Sequence, residues 1–144
     1  MQSVDLTLTL PEWMQLPVPE GLDGAVVREE VLSWQVRPDE GSVAFLALVV
    51  GDLDAVQAGA SALDPVRDAW FTPVDDDTFY AYVELAFRPA ERALWSTFDD
   101  LDVVLVPPVV YTDSETMQVT LLGAPDAFQA VLDVVPDDVG VEVT

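Results

Sequence analysis

Apolar and polar residues alternate without a break from Val4 to Leu10, with Val4, Leu6, Leu8 and Leu10 on one side and Asp5, Thr7 and Thr9 on the other. A period of two marks a strand buried on one face only. Pro11, Pro17, Pro19, Gly21 and Gly24 then exclude regular structure from 11 to 24, and Trp13, Met14 and Leu16 are expected to pin that loop to the body.

From Val26 onward a strand, a polar turn, a second strand and a short helix recur three times. The first copy runs Val26 to Arg37, turns at Pro38-Asp39-Glu40-Gly41, continues Val43 to Val50 and ends in a helix near Asp52 to Leu63. In the second, Val66 to Val74 and Phe79 to Phe87 flank Asp75-Asp76-Asp77, and a helix follows from Pro89 to Phe98. The third has Val103 to Tyr111, a turn at Asp113-Ser114-Glu115, Thr116 to Leu122 and a helix from Pro125 to Val134. A last strand, Val139 to Val143, closes the chain.

Gly51-x-x-Asp54-Ala55-Val56-Gln57-Ala58 aligns with Gly123-x-x-Asp126-Ala127-Phe128-Gln129-Ala130. Carboxylates in the first turn suit the positive end of the helix dipole, and proline is tolerated there because its missing N–H would be unpaired anyway. Each helix shows one apolar stripe, so each covers a sheet on one side only. Strands 43–50 to 103–111 spell βαββαβ, the ferredoxin-like order, and so do strands 78–87 to 139–143. Both cannot be complete in one sheet, because strand 78–87 would need four neighbours.

The expected fold is therefore a single α+β domain over 1–144, with an N-terminal strand and proline-rich loop (1–24) and a repeated ββα body (25–144). Three hairpins form an antiparallel sheet, ferredoxin-like in part, with three helices on one face. VAFLALVV (43–50) and VVLVPPVV (103–110) do not alternate, so both faces of each are expected to be buried, most deeply at Pro107 to Val110. Helices account for one face. The other is covered by the N-terminal strand and loop or by a second subunit, which makes a homodimer an expectation.

Strand 79–87 alternates clearly. Phe79, Ala81, Val83, Leu85 and Phe87 form a core face, while Tyr80, Tyr82 and Glu84 form an amphipathic strip suited to a small-molecule ligand or a subunit partner. Arg28 and Glu30 fit a comparable face on the first unit. The plainer alternative is a sheet face packed against the N-terminal loop. Trp34, Trp70 and Trp95 read as core or interface residues.

Composition narrows the chemistry. The chain has no Cys and no His, so thiol nucleophiles, disulfides and imidazole bases or ligands are excluded. No glycine-rich phosphate loop and no spaced serine motif is present. Asp75-Asp76-Asp77, Asp99-Asp100-Asp102 and Asp137-Asp138 read as solvated turns. The expectation is a non-enzymatic protein without cofactor, catalytic residues or metal site.

The formal charge is −22, from 27 acidic residues against five arginines (Arg28, Arg37, Arg67, Arg88, Arg92) and no lysine. The acids are spread between strands and over helices rather than gathered in a block. That pattern suits a salt-rich cytoplasm, where a Debye length of about 3 Å at 1 M silences the repulsion. It also disfavours nucleic-acid binding by these residues, which show no basic stripe. A mimic of nucleic acid would gather its charge on one face. The longest apolar run, Val43 to Val50, is far short of a membrane span, and no secretion signal opens the chain. A cytoplasmic protein without membrane contact is expected.

One resemblance adds context. Pro107-Pro108-Val109, Tyr111, Thr116-Met117, Gly123-Ala124-Pro125 and Val135-Pro136-Asp137-Asp138-Val139 resemble the region preceding the DNA-binding helices in haloarchaeal regulators of the bacterio-opsin-activator type. Phe79-Tyr80-Ala81-Tyr82-Val83-Glu84 and Arg88-Pro89-x-Glu91-Arg92-Ala93-Leu94 are similar to the middle segment of that family. The resemblance implies a non-catalytic effector or dimerisation domain of a transcriptional regulator, touching DNA only through a C-terminal domain outside this chain. Glu115 departs from it, standing where the family has Gly, and no helix-turn-helix precedes Thr144. The alternative is a stand-alone, ACT-like small-molecule-binding protein.

Overall fold

The computed structural model describes residues 2–11, 25–37, 39–60, 63, 66–87, 101–112 and 115–143. Among them are β1 (Gln2–Thr9), β2 (Val26–Arg37), β3 (Ser42–Gly51), α1 (Leu53–Ala60), β4 (Val66–Pro73), β5 (Thr78–Ala86), β6 (Val103–Tyr111), β7 (Thr116–Gly123), α2 (Pro125–Val134) and β8 (Gly140–Val143). The expected loop at 12–24 and the helix at 89–98 lie outside the described residues.

The strands form one open, antiparallel sheet of eight in the order β4-β5-β3-β2-β6-β7-β1-β8. The three expected hairpins are present as the β2–β3, β4–β5 and β6–β7 pairs. Turn chemistry shapes the first of them. Gly41 sits at φ 65°, a conformation that costs glycine nothing because it has no Cβ. α1 is capped by Asp52, whose carboxylate accepts a hydrogen bond from the Ala55 N–H at 3.1 Å. α2 opens on Pro125, as the sequence suggests, with Asp126 in its first turn.

Strand order corrects two expectations. A ferredoxin-like arrangement would set β6 beside β3, but β2 occupies that place and β6 lies beyond it. The hairpin of β2 and β3 is local and closes before β6 arrives in the chain, so β3 has no free edge left for the longer-range pairing. The N-terminal strand, for its part, is not laid across the sheet. β1 runs within it, hydrogen-bonded to β7 on one side and β8 on the other.

Cross-strand partners point to the same face, so the registers sort every side chain. Val31, Ala47 and Phe79 lie on one face with Ala81, Val49, Val109, Val119, Leu121 and Leu6, and together they make the buried core. Val131 of α2 belongs to the same cluster, with Leu53 and Val56 of α1 and Phe128 of α2 packed against it. Both described helices therefore cover the same face.

Burial is deepest at Phe79, Leu121, Val43 and Ser42, rather than at the Pro-Pro-Val-Val segment. Val109 and Val110 are buried, but Pro107 and Pro108 are exposed and Val104 is 55% exposed. β2 explains the difference. It pairs with β6 only at Glu29–Tyr111, Glu30–Val110 and Val31–Val109, so the first half of β6 has a neighbour on one side only.

Candidate ligand or partner face

The face opposite the helices is built by residues of the other parity. Registry aligns them in crosswise rows: Glu30, Leu48, Tyr80 and Thr72; then Ser33, Leu46, Tyr82 and Trp70; then Gln35, Ala44, Glu84 and Asp68. On β6 and β7 the same face carries Val104, Val106, Val110, Gln118, Thr120 and Leu122. β3 thus contributes apolar side chains to both faces, as its unbroken apolar run suggests. β1 adds to this surface from within the sheet but cannot lie over it.

Tyr80, Tyr82, Glu84 and Arg28 all stand on this face, yet they do not form one site. Arg28 is opposite Val50, while Glu84 is opposite Ala44. Six residues of extended chain separate the two rows, about 20 Å. Arg28 is engaged instead with Glu30, its Nη2 lying 3.0 Å from the carboxylate.

What the fold does assemble is a cluster at the other end. Arg37 donates to Glu84 at 2.8 Å and to the Tyr82 hydroxyl at 3.2 Å. The Ser42 hydroxyl donates to the same Glu84 oxygen at 2.9 Å, and Ser42 is fully buried beneath them. The Ser42 hydrogen bond, foremost, holds Glu84 below the usual carboxylate range, with Arg37 adding to it and burial opposing. The same pairing raises the Arg37 guanidinium. Beside the cluster, Trp70 lies 5.6 Å from Tyr82, centroid to centroid, tilted at 49°.

Arg37, Ser42 and Trp70 were not among the residues expected here. A β-bulge is the reason for Arg37. The register of β2 against β3 shifts between Val31 and Ser33, and one extra residue flips every later side chain to the other face. Simple alternation from Arg28 and Glu30 leads to Leu32 and Trp34, whereas the bulged strand presents Ser33, Gln35 and Arg37. Leu32 is the extra residue, and because Val31, Leu32, Trp34 and Val36 are all apolar the sequence does not mark where the phase changes.

On the helix-bearing face one residue breaks the apolar pattern. Glu29 sits between Val49 and Tyr111, and burial pushes its carboxyl above the usual range. The two glutamates therefore give opposite pH responses. Glu29 in the folded state resists ionisation, so its penalty is absent below pH 4.5, its unshifted value, and grows as pH rises through its folded pKa. Glu29→Gln should stabilise the fold by about 1 kcal/mol at neutral pH and by nothing in acid. Glu84 contributes stability above pH 4.5 that is lost as pH falls through its lowered folded pKa. Glu84→Gln should flatten that acid limb. Chemical denaturation across pH in molar KCl reads both.

The acidic runs at 75–77 and 137–138 are turn residues. Asp75-Asp76-Asp77 is an exposed hairpin turn in which the Asp77 N–H donates to Asp75 and the Thr78 hydroxyl to Asp77. Hydrogen bonding from Asp77 holds the Asp75 carboxyl below its ordinary value. Asp137-Asp138 is likewise an exposed turn, and Asp99-Asp100 lies outside the described residues. Asp52, Asp54, Asp76 and Asp77 rim an open cleft of ≈ 630 Å³ that also touches Val27 and Leu53. Trp34 packs against the core cluster, in contrast to Trp70, which is 56% exposed. Trp95 lies outside the described residues. Among the described residues no helix is long and apolar enough to cross a membrane.

Residues 21–144 match the family model HVO_0513_N, an N-terminal domain family of haloarchaeal type. The chain belongs to that family. The match takes in every element from β2 to β8, and so both the Arg37 cluster and the aromatic strip. No curated protein matches the chain.

Proposed function

We propose that this chain is the non-catalytic effector and dimerisation domain of a haloarchaeal transcriptional regulator, of the bacterio-opsin-activator type, that contacts DNA through a C-terminal helix-turn-helix. The observation that carries the reading is the division of labour between the two sheet faces. One face holds the helices and the core, and the other presents Trp70, Tyr80, Tyr82 and the Arg37–Glu84 pair on a broad platform. A platform of that kind recognises a ligand or a partner, and the chain has neither Cys nor His to supply a thiol nucleophile or an imidazole base. The family's description as an N-terminal domain supports a place ahead of a second module. So does the resemblance of Val103 to Val143 to the segment that precedes DNA-binding helices.

The test is chromatin immunoprecipitation of the tagged full-length gene product in a halophilic host. Discrete enrichment upstream of genes is expected, with the pattern altered when residues 1–144 are deleted. Uniform background would overturn the regulator reading. A reading frame ending at Thr144 would replace it with the stand-alone ACT-like binder.

A further inference from the structure

We infer that the helix-free face of the sheet is the contact surface for a second copy of this chain, packed face to face as a two-layered sheet. This deepens the dimerisation reading above and rests on it.

Charge is the first argument. The whole chain carries 27 acidic residues against five basic ones, so two copies meeting on an average surface would press carboxylate against carboxylate at contact distances, where even molar salt screens least. On the helix-free side of the six strands from β4 to β7, the charged side chains given by the registers are Glu30, Asp68 and Glu84 against Arg28 and Arg37. Four of those five are already neutralised in the Arg28–Glu30 and Arg37–Glu84 pairs. Over these six strands the face is thus close to neutral in a molecule that is otherwise densely anionic, while β1 and β8 add Asp5 and Glu142 at its far side. It is the surface on which self-association meets least opposition.

Apolar exposure is the second. Trp70 is 56% exposed, Tyr80 41% and Val104 55%, and between them lie the half-buried Leu46 and Leu48. Exposed aromatic anchors around an aliphatic strip are the usual centre of a protein–protein contact.

Area is the third. Those six strands, about 4.8 Å apart and roughly 25 Å long, offer roughly 700 Å² of face, comparable with the ≈ 800 Å² that each partner contributes to a standard interface. The symmetric form needs only that the same patch serve both copies. Because β1 lies in the plane of the sheet, it cannot serve as the cover.

Light scattering and sedimentation equilibrium in molar KCl test the inference on the intact chain. A dimer is expected, weakened about thirtyfold or more by Tyr80→Glu or Trp70→Glu, with the far-ultraviolet circular dichroism spectrum unchanged. Val134→Glu, at an exposed position on α2, should leave the dimer intact. A milder pair, Tyr80→Ser and Trp70→Ser, repeats the test should the charged variants fail to fold. A wild-type monomer across the concentration range would overturn the proposal, as would a dimer insensitive to both face variants. A monomer whose melting temperature drops with Tyr80→Glu but not with Val134→Glu would give the face to residues 12–24 of the same chain, and also overturns it. None of these outcomes touches the DNA-binding test, which reads the full-length product.

Discussion

Phe79→Ala, measured by chemical denaturation in molar KCl, should cost about 3–5 kcal/mol. Phe79 is 1% exposed and is one of the largest fully buried side chains described. It lies between Val49 of β3 and Pro73 of β4 across the sheet. Its ring meets Phe71 edge-on with centroids 6.0 Å apart. Truncation removes both the transfer free energy of the ring and the contacts of everything lining the hole. Against a total stability of about 5–15 kcal/mol, that loss leaves a marginal fold. Val74→Ala, in the same hairpin but 52% exposed, should change stability by less than about 0.5 kcal/mol. Comparable losses at the two positions would contradict the burial pattern.

Dialysis into millimolar salt should unfold the protein outright. The charge of −22 is tolerable when the Debye length is about 3 Å, but at 0.01 M that length reaches about 30 Å, comparable with the whole domain. Every carboxylate then feels most of the others. The cleft rimmed by Asp52, Asp54, Asp76 and Asp77 concentrates four of them at the junction of β3, α1 and the β4–β5 turn, which is where opening is expected to begin. Circular dichroism during stepwise removal of KCl is the measurement. A spectrum that survives a few millimolar salt would refute the salt-adapted reading of the composition. Lowering the pH at low salt should partly restore the fold, because protonation discharges the same carboxylates.

Local elements were legible because their causes are local. The alternation in β1 and β5, the proline opening α2 and the acidic first turns all act within a few residues, and each expected hairpin is in the sheet. The face assignment of Tyr80, Tyr82 and Glu84 was equally readable, since β5 keeps an unbroken period of two. Arg37 was not among the expected face residues, because a single inserted residue in β2 reverses the phase and alternation alone does not announce it. The exposure of Val104 was hidden for another reason. An apolar strand shows what it could bury, while its neighbour decides what it does bury, and β2 pairs with only the last part of β6.

By itself the sequence determined the class of the domain, the identity and order of its described elements, its anionic surface and the absence of thiol and imidazole chemistry. These follow from side-chain periodicity, turn residues and composition, which need no distant partner. Only the tertiary structure decided that β2 and not β6 lies beside β3, that β1 enters the sheet instead of covering it, and that Arg37, Ser42, Tyr82 and Glu84 meet. Those outcomes depend on which strand edges remain free once the local hairpins have closed, and on the register each bulge imposes.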